Sequence, residues 1–429
     1  MRTTYDAIII GAGPAGSTAA IRLAQAGWAV ALIEKQRFPR RKVCGECLAA
    51  SNLPLLDALG IGRLFHALAG PELKRVVLMH GREAICADLP PYPGRRHAWG
   101  RALGREHLDA LLLQRAVEAG ATLLQPWTVR AVKGQAGAYQ CTAQAFGSRM
   151  NVHLNAPLVI AAHGSWEPGL ANDRGRKIQA GGRDLFAFKA NFAGAQLEEG
   201  LLPVLAFKGG YGGMVIGEHG LLTLACCIRR DRLSACRSQI KSDSAGDAVQ
   251  SYLASECKGV RQALDGAARQ GKWLSVGPIR PGIRMPRDGG RFFLVGNAAG
   301  EAHPIIGEGM SMAIQSAWLA CELLIAEPAA LRDARLQRKL MRDYAHAWHA
   351  HFARRMQLAA AFAHVAMRPN MARMLLPVLR TWPGVMTKAA CWSGKVSQTC
   401  CTPQQAPAAP PSTPVEERRF NEISNGENA

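Results

Sequence analysis

The sequence predicts an α/β fold: a parallel-sheet domain, an inserted antiparallel-sheet domain and a C-terminal helical region. Three observations carry this. Residues 5–34 read strand, glycine turn, helix, strand, which is one βαβ unit. Residues 291–326 read as another strand, a glycine-bearing loop and a long apolar helix. Between them, residues 183–230 are strand-rich and broken by glycines, most densely at Gly209-Gly210-Tyr211-Gly212-Gly213, the pattern of an antiparallel sheet.

Taken in order, YDAIII at 5–10 is a buried strand, 14–27 a helix with an Ala/Leu packed face, and WAVALIE at 28–34 a second buried strand. A basic stretch runs from Lys35 to Lys42. Residues 50–69 and 106–119 read as helical, and 121–132 and 151–162 as strands. A helix follows from about 309 to 326, then helices over 330–381 rich in Arg, Met, Ala and Leu. The expected division is 1–70, 101–165 and 280–330 for the discontinuous nucleotide domain, 71–100 and 166–279 for the substrate domain, and 331–394 for the C-terminal helices. From 395 to 429, QQAPAAPPSTP and polar residues offer little to bury, so a disordered tail is expected.

At 429 residues and 48% hydrophobic composition, the chain can bury more than one simple core. No run of about 18 uninterrupted apolar residues exists, so no spanning helix is expected. The start leads straight into the glycine motif without a cleavage pattern, which predicts a mature chain from residue 1 and a cytoplasmic location. Net charge is +20, so the surface attracts anions: nucleotide cofactors, acidic lipid or nucleic acid. Aromatic content of 6% argues against a base-stacking surface, and no nucleic acid is expected. The twelve cysteines are scattered and read as reduced, mostly buried thiols. Cys44 and Cys47 form one CxxC without a second pair at zinc spacing. His346, His349 and His351 share a helix face poorly and have no carboxylate with them; no metal is expected.

Gly11-Ala12-Gly13-Pro14-Ala15-Gly16 matches GxGxxG in its proper setting, with Glu34 ending the second strand. Gly11 permits the tight turn, Gly13 the approach of a pyrophosphate, and Gly16 close helix–strand packing. The helix N-terminus offers free N–H groups to phosphate. Glu34 stands where a carboxylate accepts bonds from a ribose diol.

The stretch LVGNAAGEAHPIIGEGM at 294–310 resembles the second FAD fingerprint of p-hydroxybenzoate hydroxylase-like flavoproteins. Arg105-Glu106-His107-Leu108-Asp109 with its following helix, and LVIAAHG at 158–164, resemble two further segments of that superfamily. KVCGECL at 42–48 resembles geranylgeranyl reductase-like members and oxidoreductases associated with type III polyketide synthases; GGYGG fits the latter best.

This resemblance implies a Rossmann-like FAD-binding domain and an FAD-dependent oxidoreductase. It places the adenylate end on Gly11–Gly16 with the ribose on Glu34. Arg105 reaches the ribityl or pyrophosphate oxygens, the Val129 backbone meets the adenine edge, and Asn297 meets the ribityl–pyrophosphate region. Gly307 and Gly309 let the following helix point its N-terminus at the pyrimidine end of the ring, where negative charge gathers on reduction. Ala15, Lys35, Gly164, Pro304 and Met310 complete the expected shell. Two residues depart from the family pattern, Asn297 and His163 each standing where an Asp is usual.

For chemistry, the resemblance puts Cys44 near the flavin, with Arg40, Arg41 and Lys42 as basic neighbours that favour a thiolate; the competing reading is a small buried residue. His303 is expected at the substrate side as an acid or base; the competing reading is a space-filling loop residue. Glu46 and Tyr211 are weaker choices, as an anchoring carboxylate and a pocket phenol. The favoured reaction is oxygen transfer to an aromatic, polyketide-like or lipophilic small molecule by a monooxygenase. The alternative is a reductase of isoprenoid or polyene double bonds, and the alternative from another class is a non-enzymatic basic protein binding nucleic acid or a membrane surface. NAD(P)H is expected as a transient donor. The absence of a Trp-x-Trp-x-Ile-Pro segment counts against a tryptophan-type halogenase. The segment 331–380 carries ten Lys/Arg and two Asp among apolar residues. It reads as a helical cap, or as a peripheral contact with the anionic inner membrane surface.

Overall fold

The structure is a computed structural model that describes residues 2–93, 97–165, 181–239 and 244–394. Its centre is a five-stranded parallel sheet in the order Phe293–Leu294, Leu158–Ala161, Ala7–Ile10, Val30–Ile33, Thr122–Leu124. The three central strands (AIII, VALI, LVIA) are buried at every position, as a sheet covered on both faces requires. One face packs against helices Pro14–Gln25, Arg105–Glu118, Gly309–Ala326 and Ala334–Trp348. The other packs against an antiparallel meander of Trp127–Gln135, Ala138–Ala145 and Asn151–Ala156. Helix Gly309–Ala326 has the length and composition to cross a membrane, but 72% of it is buried inside the protein, as a core helix.

The second sheet has seven strands in the order Ala268–Ile279, Leu185–Ala193, Leu222–Arg229, Gly210–Ile216, Leu201–Phe207, Arg75–His80, Glu83–Asp88. It is antiparallel except where Arg75–His80 runs parallel to Leu201–Phe207. Helices Arg230–Gln239, Ala245–Glu256 and Lys258–Ala263 cover one face. The opposite face, with Ala187, Ala206, Tyr211 and Cys227, turns toward helix Arg354–Ala366.

The predicted elements stand with local changes, except that 121–132 and 151–162, each read as one strand, are each two: Thr122–Leu124 and Leu158–Ala161 join the parallel sheet, and Trp127–Gln135 and Asn151–Ala156 the meander. The helical stretch at 50–69 breaks at Gly60, whose φ of +84° ends Leu53–Ala58 before Gly62–Leu68 begins. After helix Arg354–Ala366 the chain forms Pro369–Thr381 and Gly384–Trp392. The last helix rests on the Arg75–Asp88 hairpin: Ala390 packs with Val76, Ala87 and Leu89, and Thr387 Oγ1 donates to the Asp88 carbonyl at 2.8 Å. Seven of the ten described cysteines are buried and none of the ten is in a disulfide. The tail expected at 395–429, with Cys400 and Cys401, lies outside the described residues.

Candidate functional site

A cavity of about 990 Å³ lies between the parallel-sheet domain and the free face of the seven-stranded sheet. The fingerprint turn, the 35–47 segment and the 296–310 loop line one end. The Gly210–Ile216 strand and the C-terminal helices line the other.

The fingerprint glycines divide by cause. A Cβ on Gly11, at φ +100°, would stand 2.6 Å from the Ala162 carbonyl oxygen, and one on Gly16 only 1.7 Å from the Gly11 oxygen. The fold itself demands glycine there. A Cβ on Gly13 would meet only Arg105 Nη2, at 3.9 Å, and Gly45, Gly164 and Gly309 have nothing within 4 Å. All four line the cavity. Their bareness keeps space clear for something that is not protein.

Glu34 is buried at the strand end. Its Oε2 accepts from the Ala12 amide at 2.9 Å and its Oε1 from the Gln36 amide at 2.8 Å, which fixes the turn and aims the carboxylate. Arg105 binds Asp109 through two bonds of 2.8 and 2.7 Å and lines the cavity wall. Lys35, Arg40, Arg41 and Lys42 line it too. Burial, then the nearby Arg105 and Arg40 charges, push the Lys42 ammonium down to about 8. Such a cationic cluster is relieved by an anion. Gly307 sits in the left-handed region at φ +65° and turns the chain into helix Gly309–Ala326. Asn297 Nδ2 donates to Ser165 Oγ at 3.1 Å, a bond that an ionised Asp could not donate. The Trp127–Gln135 ladder is irregular between Val129 and Ala131, beside the cavity. These bare glycines, aimed carboxylate and cations fit a dinucleotide with a pyrophosphate at its middle.

The structure brings Gly11, Gly13, Ala15, Glu34, Lys35, Cys44, Arg105, Val129, Gly164, Asn297, Pro304, Gly307, Gly309 and Met310 to this one cavity. Gly16 packs behind the turn. Cys44 Sγ accepts from the Glu46 amide at 3.4 Å, and Arg105 adds a cation against the thiol that its sequence neighbours did not suggest. His303 does not line the cavity. Its Nδ1 lies 3.0 Å from the Tyr211 hydroxyl, and Tyr211 is the wall residue. Burial lowers the imidazole from its ordinary value and raises the Tyr211 phenol well above its own, with Cys227 adding to the latter.

Sequence reasoning did not find Lys189. It is fully buried in the apolar strand Leu185–Ala193 and pairs with Glu46. Glu46 holds a left-handed φ of 58°; its Oε1 also accepts from the Arg105 amide at 3.0 Å, and its Oε2 from Thr223 Oγ1 at 2.7 Å. One carboxylate thus ties the cavity's loop to the second sheet. The signal was a single Lys inside FAFKANF, since a buried cation needs a partner. Among the described residues, no three His, Cys, Asp or Glu side chains stand together as a metal site.

The comparisons agree with this geometry. The FAD binding domain family matches residues 4–358. A menaquinone reductase of Mycolicibacterium smegmatis is 25% identical over 91% of both chains. A tryptophan 2-halogenase of Chondromyces crocatus is 35% identical over 118 residues, which are 28% of this chain and only 22% of that protein. Among solved structures, a myxobacterial chondrochloren halogenase superposes with TM-score 0.73 at 18% identity, covering 92% of this chain and 91% of that one. A geranylgeranyl bacteriochlorophyll reductase-like protein of Thermoplasma acidophilum gives 0.70 at 19%, covering 91% and 95%. With the match spanning most of its length and the cavity built for a dinucleotide, the chain belongs to the FAD-binding domain family and is an FAD-dependent oxidoreductase.

Proposed function

We propose that this flavoenzyme reduces a carbon–carbon double bond in a lipophilic small molecule of isoprenoid or polyene type, with NAD(P)H as transient donor. The observation that carries the lipophilic part is the cavity's far wall. Val76, Leu78, Leu202, Val204, Phe362 and Val365 make it almost wholly apolar, so a greasy substrate gains by entering. The whole-length likeness to a menaquinone reductase and the KVCGE segment favour reduction over the oxygen transfer that the sequence had placed first.

Glu34, the Gly11–Gly16 turn, Arg105 and Asn297 would hold FAD, and Gly307, Gly309 and Met310 would border its ring. When bound and reduced by the nicotinamide donor, the flavin would supply hydride chemistry at one carbon of the double bond. The second carbon needs a proton, and Tyr211 would give it: the phenol lines the cavity and its hydroxyl is 3.0 Å from His303 Nδ1, which can replace the proton it loses. His303, partly exposed and 3.0 Å from the phenol, returns a proton drawn from water. Cys44 borders the same space with Arg105 and positions the substrate.

Oxygen transfer to an aromatic ring is the second reading. It is favoured by the GGYGG stretch, which resembles oxidoreductases associated with type III polyketide synthases and lines the cavity at Tyr211, Gly212 and Gly213. The test is to reduce the holoenzyme anaerobically with NADH or NADPH and then add polyprenyl substrates. Flavin reoxidation without oxygen, with a product heavier by two hydrogens, supports reduction. Reoxidation only with oxygen, with an oxygen atom in the product, overturns it in favour of the second reading.

A further inference from the structure

The C-terminal helices expose an apolar face at the mouth of the cavity. Of the eleven large apolar side chains exposed among the described residues, seven lie between Met371 and Trp392. Met371, Met374, Leu375 and Val378 follow the i, i+3, i+4, i+7 spacing that puts them on one face of helix Pro369–Thr381. Trp382, Val385 and Trp392 continue the patch. Leu375, Val378 and Val385 are exposed and line the cavity at once, so the patch surrounds an opening.

The charge of this region is one-sided. From Tyr344 to Gly394 the chain has no Asp or Glu, while Arg354, Arg355, Arg368, Arg373, Arg380 and Lys388 supply cations. Arg380 is engaged with Glu83. Arg368, Arg373 and Lys388 are exposed on the same two helices and the turn before them. An apolar stripe with two tryptophans and a cationic surround, without acids, complements a bilayer carrying anionic headgroups. A water-facing role accounts for the cations but not for seven bare apolar side chains.

We propose that helices Pro369–Thr381 and Gly384–Trp392 dock on an anionic phospholipid bilayer, so that the cavity opens into the lipid. The docking itself needs no particular reaction. Only its purpose, delivery of a membrane-held substrate, rests on the lipophilic reading above.

The experiment is flotation of the full-length FAD-loaded protein with vesicles of phosphatidylglycerol and phosphatidylethanolamine, and with pure phosphatidylcholine vesicles. The protein should float with the anionic vesicles and much less with the neutral ones. The most exposed residues, Met374, Trp382 and Trp392 at 77%, 64% and 62%, lie outside the cavity wall. Changing them together (M374E, W382E, W392E) should weaken partitioning by tenfold or more, on the order expected for losing two aromatic anchors and adding three repelled charges. Flavin absorbance per chain should not change, which shows the variant folded.

No flotation of the wild type overturns the proposal. So does flotation that the triple variant retains, or that neutral vesicles match. If the wild type is a dimer that the triple variant dissolves, and no vesicle binds, the face belongs to a second copy instead. Vesicle binding without turnover of any polyprenyl substrate overturns the reaction and leaves the docking face standing. Turnover of detergent-dispersed substrate without vesicle binding does the reverse.

Discussion

Replacing Lys189 with Met should be among the most damaging single changes outside the fingerprint. The ammonium is fully buried and paired with Glu46, itself buried. Removing it leaves a buried carboxylate with two remaining donors, the Arg105 amide at 3.0 Å and Thr223 Oγ1 at 2.7 Å. Breaking such a pair from one side costs about 3–5 kcal/mol, because the surviving charge stays out of water. Adding Glu46→Gln removes that charge while an amide oxygen can still accept one of the two bonds. The double variant should therefore regain at least ~1–2 kcal/mol over Lys189→Met alone. Urea unfolding followed by flavin fluorescence and by circular dichroism measures both. FAD affinity should fall in the single variant and partly return in the double, since Glu46 holds the amide of Arg105. A Lys189→Met protein within about 1 kcal/mol of wild type, or a double variant worse than the single, would refute the reasoning.

Further outcomes follow from the same geometry. Gly13→Val should abolish FAD binding while far-ultraviolet circular dichroism stays native, because its side chain enters open cavity beside Arg105 rather than protein; normal flavin occupancy would place the phosphates elsewhere. Glu34→Ala should weaken FAD by about 1–3 kcal/mol in titration, as the cofactor loses the carboxylate and the Ala12 and Gln36 amides lose their acceptor. Tyr211→Phe should slow substrate-dependent flavin reoxidation by tenfold or more while reduction by NAD(P)H keeps its rate, an order typical of a lost general acid. Cys44→Ser should bind FAD normally and slow the same step, and an unchanged rate leaves the thiol as cavity wall. Burial lowers His303 below its unfolded pKa of about 6.5. The unfolded chain then binds the proton more readily, so this residue's contribution to stability falls as pH drops through 6.5 toward the folded value. His66 and His351 are lowered too, so the difference between wild-type and His303→Gln melting curves from pH 5 to 7.5 isolates it.

The parts of the fold legible in the sequence were those written in short range. The AIII and VALI strands, the glycine turn and helix Gly309–Ala326 each carry their signal within a few residues. The edge hairpin Arg75–Asp88 was hidden inside a segment read only as substrate domain, because its strand Arg75–His80 finds its parallel partner at Leu201–Phe207. Helices Arg230–Gln239 and Lys258–Ala263 were missed for another reason. Arg230–Gln239 buries only Cys236, and Lys258–Ala263 is barely longer than a turn, so their apolar periodicity is faint. At the site, the fingerprint residues were legible because backbone space demands glycine. The Glu46–Lys189–Thr223 junction was not, because its members come from three distant stretches and only the folded chain shows who partners whom.

The parallel pairing of Arg75–His80 with Leu201–Phe207 has a consequence for synthesis. On the ribosome the Arg75–Asp88 hairpin emerges more than a hundred residues before the strand that will hold it. The parallel sheet's Thr122–Leu124 and Leu158–Ala161 strands appear in the interval, so much of the nucleotide domain is available to assemble first. The hairpin then waits as an unpaired edge, an open template for wrong partners. Neither domain is a removable cassette: excising residues 71–100 would take an edge from one sheet, and excising 101–165 would take two strands from the other. Their assembly is interleaved along the chain, with Gly384–Trp392, the last helix among the described residues, closing over the Arg75–Asp88 hairpin.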